Sequence, residues 1–445
     1  MQPPEPTRIA RSALHASLSD PLIGAMSFLN EIMERYPQAI SFAPGAPFAG
    51  FYDAVDVPRA LERYARYLAD EYGLDREAIN KRLYQYGPSR GQINGLLAGA
   101  LKRDEGIDID PAALVVTVGC QEALVLVLRA LCAGPGDLLA VVNPCFIGIA
   151  GAARVLDIAT VAVDENSTGI DWDALAAACA GARTRGQRIR ALYVAPDFSN
   201  PSGMVLDLAS RHRLLALAER EDFLLLEDNT YAFTARPASA LPSLKALDRR
   251  ARVVYLGTCA KICLPGVRIG YVVADQEVHG VDAAPRLLAD ELAALKSMIT
   301  VNTSPICQAI FAGMLLEQGG SLAALSREKG ALYQRNLGLL LDALERHAGD
   351  LGAHGTVSWN RPTGGFFVVL DLPVVADAAL LELCAAEYGV LWTPMCHFHL
   401  DGGGQHQLRL SCSYLTPAQI DEGVRRLAQF LRDARVSGKH TALAA

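Results

Sequence analysis

No apolar run in this 445-residue chain reaches membrane-spanning length; charge, Gly or Pro interrupts each one, and Arg129 breaks the longest. The first twenty residues lack the apolar core of a secretory signal, so none is expected there. The net charge of -7 is spread without a block of one sign, which gives no reason to expect nucleic acid or an anionic membrane as a partner. There is no C-x-x-C pair among the ten cysteines, and they sit in apolar strings such as Arg129-Ala130-Leu131-Cys132-Ala133. Reduced, mostly buried thiols in a cytoplasmic protein are the expectation. Repeats and low-complexity linkers are also missing. What is there is 51% hydrophobic residues, enough for a large globular core and for two or three domains.

Short apolar runs alternate with helical stretches. Strands are predicted over 114–118, 138–142, 160–163, 189–195, 223–227, 252–256 and 268–273, and helices over 121–133, 147–155, 171–180 and 206–221. That alternation argues an α/β fold with a mostly parallel, doubly wound sheet, which binds ligands beyond the carboxyl ends of its strands. After about 305 helices dominate to about 347. A strand at 366–370, a helix near 377–387, a strand at 407–412 and an amphipathic helix over 417–435 follow. The expected division is an arm over 1–50 that packs on the smaller domain, a large domain over 51–315 and a smaller α+β domain over 316–445. The residues from 438 onward read as a frayed tail.

Several segments carry chemistry. In Thr258-Cys259-Ala260-Lys261-Ile262-Cys263-Leu264-Pro265-Gly266-Val267-Arg268, a lysine sits where an apolar strand breaks into a loop. A desolvated lysine loses its proton more easily and can attack an aldehyde to form a Schiff base. Thr258 and Arg268 are placed to hold a phosphate. An aldehyde and a phosphate together suit pyridoxal 5'-phosphate (PLP); an ordinary surface lysine is the alternative. Phe223-Leu224-Leu225-Leu226-Glu227-Asp228 brings Asp228 to a strand end, where a carboxylate can keep a proton on a pyridine nitrogen or simply serve a turn. Val118-Gly119-Cys120-Gln121 is a strand, a glycine and a helix start, a natural phosphate cradle of free N–H groups. Asn200-Pro201-Ser202-Gly203 is a turn between strand and helix. Gln407-Leu408-Arg409-Leu410 places one arginine in an apolar strand, where an unpaired charge is costly. A substrate α-carboxylate would pair with it bidentately; an internal salt bridge is the alternative. His397 and His399, with His406 nearby, are too few for a metal site and read as a polar loop.

In their order and spacing these segments resemble the fold-type I PLP-dependent enzymes, specifically the class I/II aminotransferases. The branch with 2-aminoadipate aminotransferases and the aminotransferase-like domain of MocR regulators is the most similar, over about residues 40–430. The resemblance implies a mostly parallel, seven-stranded sheet in the large domain. It makes Lys261 the Schiff-base lysine and the proton shuttle at the substrate Cα. Thr258, Arg268, Gly119, Cys120 and Gln121 become the phosphate cup, and Asp228 the partner of the ring nitrogen. Tyr231 and Asn200 hold the phenolic oxygen, and Phe146, in Asn143-Pro144-Cys145-Phe146, stacks on the ring. Arg409, with Asn200 and Gly45, takes the substrate. Tyr86, in Tyr84-Gln85-Tyr86-Gly87-Pro88-Ser89-Arg90-Gly91, reaches the phosphate of a neighbouring subunit's cofactor, which implies a homodimer with shared sites.

The implied activity is transamination between an L-amino acid and a 2-oxo acid. Elimination, cyclisation, decarboxylation and oxidase chemistry use the same core residues and stay open, as does a non-catalytic PLP sensor. The segment ahead of the PLP domain is short, so the winged-helix module of a MocR regulator is not expected there. This chain departs from relatives at Cys120 (usually Ser), Phe146 (usually Tyr), Ala260 (often Ser) and Pro394-Met395 (often Pro-Gly), so an unusual substrate pocket is expected. A second substrate carboxylate would need another cation, with Arg8 and Arg11 as candidates; Phe48, Phe51 and Tyr52 could instead line an apolar pocket.

Overall fold

The computed structural model describes residues 7–166, 169–280, 284–353 and 357–437, so the expected tail lies outside the described residues. Eight strands form the large sheet: β1 (Leu114–Val118), β2 (Asp137–Asn143), β3 (Thr160–Asn166), β4 (Gly169–Ile170), β5 (Arg188–Val194), β6 (Leu224–Asn229), β7 (Val253–Thr258) and β8 (Ile269–Val273). Their order is β1-β8-β7-β6-β5-β2-β3-β4. The run β7-β6-β5-β2-β3 is parallel throughout, whereas β8 is antiparallel to both its neighbours. The two-residue β4 only closes a hairpin on β3. Strands such as β2, Asp-Leu-Leu-Ala-Val-Val-Asn, are buried at every position, which is why they read as continuous apolar runs rather than as an alternation.

Alternate residues of each strand feed different cores. Leu139, Val141 and Leu226 pack under the helices Gly119–Leu131 and Ile147–Val155. Leu138, Ala140 and Leu225 pack under Trp172–Thr184 and Leu208–Glu221. The last two helices start with side-chain caps, Asp171 accepting from Ala174 N and Asp207 from Ser210 N. The helix Gly119–Leu131 starts after Val118 with no side-chain cap. Its first N–H groups are therefore left for another acceptor. Glu122 fixes this turn, accepting from Val118 N at 2.6 Å and pairing with Lys296 at 2.8 Å.

A second, antiparallel sheet runs β9 (Ser358–Trp359), β10 (Phe367–Asp371), β12 (Gln407–Ser411), β11 (Thr393–Pro394). Its core includes Leu370, Trp392, Leu408 and Phe430 and is covered by the helices Leu322–Ala353 and Pro417–Ser437. The N-terminal segment forms a small two-stranded sheet of its own that is tied to this one. Ile40–Ser41 pairs in parallel with Val390–Leu391, Phe42 N donates to Leu391 O at 2.7 Å, and Ser411 N donates to Phe42 O at 2.7 Å. A helix unforeseen in the sequence, Pro21–Arg35, is capped by Asp20 with Pro at its first position. It bridges the two sheets: Leu22 packs on the large-sheet core, and Arg35 pairs with Glu382.

Candidate active site

A cavity of 480 Å³ opens at the carboxyl ends of β1, β6 and β7, where a doubly wound sheet presents its ligand crevice. Lys261, Thr258, Arg268, Asp228, Tyr231, Cys120, Gln121, Phe146, Asn200, Arg409 and Gly45 all line it. Segments separated by more than 300 residues thus converge as expected. Gly119 is buried and does not line the cavity, and Tyr86 is 84% exposed, outside the cavity of its own chain.

The phosphate-cup residues are held by close backbone contact. Gly119 has φ +70° and donates its N–H to Arg268 O at 2.9 Å; a Cβ on it would run into the Arg268 guanidinium. A Cβ on Gly270 would come within 2.5 Å of Cys120 N. Only glycines let β8 lie directly on the helix start. Arg268 is itself left-handed at φ +52°. Burial pushes the Cys120 thiol well above its usual range, with the Asp228 charge adding to this, so the thiol is neutral. Gln121 Nε2 donates to Gly148 O at 2.9 Å. A Cβ at Gly148 would collide with both Gln121 and the Phe146 ring, so the glycine makes room for that ring beside the cup.

Asp228 is the penultimate residue of β6 and is buried. Its Oδ2 accepts from Tyr193 Oη at 2.6 Å and its Oδ1 from Thr230 Oγ1 at 2.5 Å. Burial raises its pKa, and the hydroxyls of Thr230 and Tyr193, with the charge of Lys261, oppose the rise. Lys261 follows β7. Burial chiefly, then Arg409 and Arg268, pull its amine down to about 8, while Asp228 acts the other way. Its Nζ donates to Gly45 O at 2.5 Å.

Arg409 sits on β12, opposite Val369 and Thr393. Its guanidinium carbon lies 4.3 Å from the Phe367 ring centroid and 4.7 Å from that of Phe398. Nη1 donates to Asn200 Oδ1 at 2.6 Å, Nη2 donates to Ala43 O at 2.6 Å, and Nε has no partner. The residue is 5% exposed, and no described carboxylate pairs with it. The internal salt bridge left open by the sequence is therefore not what satisfies it. Burial lowers its pKa to about 10, leaving it charged at neutral pH. Asn200 also donates through Nδ2 to Tyr231 Oη at 3.5 Å, and Tyr231 stands edge-on to Phe366 and Phe367.

The walls around this core differ from the sequence reading. Neither Arg8 nor Arg11 lines the cavity; Arg11 is turned to Leu18 O and Ser19. The helix Pro21–Arg35 contributes Asn30 and Met33 instead. Phe48 and Phe51 pack edge-on against each other at 5.9 Å, and neither they nor Tyr52 line the cavity; Pro44 and Pro47 do. At the unusual Pro394-Met395, Met395 is buried against Val369 and Phe398. His397, on the 3-10 turn that follows, lines the cavity, while His399 lies 3.5 Å from Asn143. Sequence reasoning missed Tyr193, Thr230, Asn30 and Met33. Thr230 was within reach, because it stands between Asp228 and Tyr231.

These donors fit PLP. The cup has N–H groups, a hydroxyl and a guanidinium for a phosphate, a buried carboxylate suits a ring nitrogen, and a low-pKa amine suits an aldehyde. The comparisons agree. The sequence model for aminotransferase class I and II matches residues 49–427. An (S)-3,5-dihydroxyphenylglycine transaminase from Amycolatopsis orientalis is 46% identical over 425 residues, 96% of this chain and 95% of its own. A 2-aminoadipate transaminase from Thermus thermophilus is 30% identical over 91% of this chain and 94% of its own. The solved Thermus thermophilus α-aminoadipate aminotransferase LysN, in complex with N-(5'-phosphopyridoxyl)-L-leucine, superposes with a TM-score of 0.73 at 28% identity, covering 94% of this chain and 99% of that one. The chain belongs to the class I and II aminotransferases and is a PLP-dependent enzyme of fold type I that moves an amino group between an amino acid and a 2-oxo acid.

Proposed function

We propose that the amino acid handled by this enzyme carries an uncharged aromatic side chain of the hydroxyphenylglycine kind, and that the working unit is a homodimer. The observation that carries the substrate reading is the set of cations at the cavity. Among the described residues that line it, the lysines and arginines are Lys261, Arg268 and Arg409. Lys261 is assigned to the cofactor aldehyde, Arg268 to the phosphate and Arg409 to the substrate α-carboxylate. None is left for a side-chain carboxylate. The remaining wall offers Met33, Pro47, Ile147 and Phe398, with Asn30 and His397 as uncharged polar groups. Apolar flanks with a few polar atoms suit a hydroxylated ring. The relative named for (S)-3,5-dihydroxyphenylglycine, 46% identical, supports the same class.

When bound, PLP supplies an aldehyde that takes up the amine and a ring that draws electrons away from the substrate Cα. Thr258, Arg268 and the N–H groups of Cys120 and Gln121 hold its phosphate. Phe146 would pack against the ring, and Tyr231 and Asn200 would hold the phenolic oxygen. Asp228 keeps a proton on the ring nitrogen. Arg409 fixes the carboxylate and with it the direction of the Cα–H bond, and Lys261 Nζ takes up that proton at short range.

For the dimer, Tyr84, Tyr86, Met298, Ile299 and Val301 are exposed apolar residues, with Met298 at 81%. A Cβ built on Gly87 would stand 3.8 Å from Asn302 Nδ2, so the two segments run close together. A joined apolar surface of this kind marks an interface, and it supports Tyr86 reaching a partner's phosphate. The ten free cysteines support a reducing, cytoplasmic setting.

The test is a spectral titration of the PLP-loaded enzyme with (S)-3,5-dihydroxyphenylglycine, phenylglycine, kynurenine and 2-aminoadipate, followed by the matching 2-oxo acids. Conversion to the amine form of the cofactor at the lowest concentrations of the arylglycines is expected. A preference for 2-aminoadipate would overturn the side-chain reading. Sedimentation as a monomer at assay concentration would overturn the dimer.

A further inference from the structure

Tyr193 lies in the middle of the large sheet, on β5, among Ile189, Ala191, Leu192 and Val194. Its ring is almost wholly buried in the same core as Leu139 and Leu226, and phenylalanine would fill that space equally well. The hydroxyl is the one polar side-chain group in the buried run 191–194 of this strand. A buried O–H needs a partner, and this one spends its proton on Asp228 Oδ2 at 2.6 Å. Thr230 Oγ1 does the same at Oδ1 from the other side, at 2.5 Å.

We propose that Tyr193 and Thr230 are a positioning pair for Asp228: their hydroxyls hold its carboxylate as an anion and fix its plane toward the cofactor ring. A carboxylate has about four lone-pair sites. One donor on each oxygen leaves both oxygens a further site, and Asp228 lines the cavity. Two donors at right distances also restrict rotation about the last side-chain bond, so the free lone pairs keep a single direction.

The pair answers a physical difficulty at this position. Asp228 is buried, and burial disfavours its charged form. A neutral Asp228 could not hold a proton on a ring nitrogen by charge. Both hydroxyls stabilise the anion, and Tyr193 stays a donor because burial and the neighbouring Asp228 charge hold its own proton on. The other titratable groups that sense this carboxylate are Lys261, Cys120 and Tyr231. Cys120 and Tyr231 are both held neutral by burial, and Lys261 is the one cation among them.

The inference rests on the assignment of Asp228 to the ring nitrogen, and the experiment separates the two. PLP labelled with nitrogen-15 in the ring is loaded into wild type, Tyr193→Phe, Thr230→Val and Asp228→Asn, and the nitrogen shift is followed from acid to alkaline pH. PLP dissociation constants and the kcat and KM of each variant are measured alongside. In Tyr193→Phe the ring nitrogen is expected to give up its proton at lower pH than in wild type. The expected fall in kcat is about tenfold, with KM changed less than about threefold, the effect of one lost hydrogen bond to a charged group. Thr230→Val, which keeps the side-chain shape, should shift it the same way. An unshifted nitrogen titration in both Tyr193→Phe and Thr230→Val, beside a clear shift in Asp228→Asn, overturns the positioning role alone. An unshifted titration in Asp228→Asn overturns the Asp228 assignment and this inference with it. A fall in thermal stability without any nitrogen shift would mark Tyr193 as packing only and also overturn the proposal.

Discussion

Lys261 Nζ donates to the carbonyl oxygen of Gly45 at 2.5 Å, across 216 positions of sequence. The amine is thus held by a neutral acceptor and has no carboxylate ion pair among the described residues. A hydrogen bond of this kind orients the lysine without neutralising a charge, and burial is then free to lower its pKa to about 8. Below that pH the group is an ammonium ion and not a nucleophile. The rate at which apoprotein captures PLP should rise as pH passes upward through about 8 and level off above it. Stopped-flow absorbance across that range checks this, and a midpoint near 10.5, the usual lysine value, would contradict it.

Lys261→Ala removes both the attachment point and the base. Turnover should fall by at least ~10³-fold, the scale of a lost general base combined with a lost nucleophile. Steady-state assay of the purified variant, with its fold confirmed by circular dichroism, is the check. Activity within about tenfold of wild type would exclude Lys261 from the chemistry.

Arg409→Gln should separate binding from catalysis. The guanidinium is buried between Phe367 and Phe398 and has an unused Nε. Loss of two charge-assisted hydrogen bonds to a carboxylate weakens binding by about 3 kcal/mol, roughly 10²-fold. The dissociation constant for the 2-oxo acid should rise by that factor while the PLP constant changes little. A larger effect on PLP than on the 2-oxo acid would assign the arginine elsewhere.

Gly119→Ala sets a Cβ against Arg268 at a left-handed backbone position. A destabilisation of about 1–3 kcal/mol is expected, with weaker PLP binding because Arg268 must move. Thermal melts of apoprotein and holoprotein read the two effects separately.

Cys120→Ser restores a hydroxyl at the cup. One additional hydrogen bond to a phosphate oxygen should tighten PLP binding by about 1 kcal/mol, a severalfold fall in its dissociation constant. An unchanged constant would show that this position contributes through its backbone alone.

The chemistry was legible where a residue type is out of place in its surroundings. Asp228, reached with Glu227 at the end of the apolar run 223–226, Lys261 at the break of a strand, and Arg409 between two leucines each carry a charge that the apolar run beside it does not explain. All three line the cavity. Tyr193 gave no such signal, because a tyrosine in a buried strand looks like core until its hydroxyl partner is known. The direction of β8 was not specified by its apolar run, since that run is the same whichever way a strand points. The pocket wall was the least legible part. Asn30 and Met33 come from a helix whose polar and apolar residues mark no catalytic motif, and Arg11 looked available only until Leu18 O and Ser19 were seen to hold it.

The short stretch 41–46 has a consequence for protein engineering. Ser41 O accepts from Tyr414, Phe42 pairs with Leu391 and Ser411, Ala43 O accepts from Thr393 and Arg409, and Ala46 O accepts from Ser413. In linear order this stretch precedes everything on the large sheet, yet its neighbours are encoded near the other end of the gene. A chimaera that swaps the C-terminal portion of two such enzymes to transplant a substrate preference would leave the wall at Gly45 behind with the wrong parent. A faithful graft has two pieces, residues 40–47 and the residues that bond to them, and a single crossover cannot carry both.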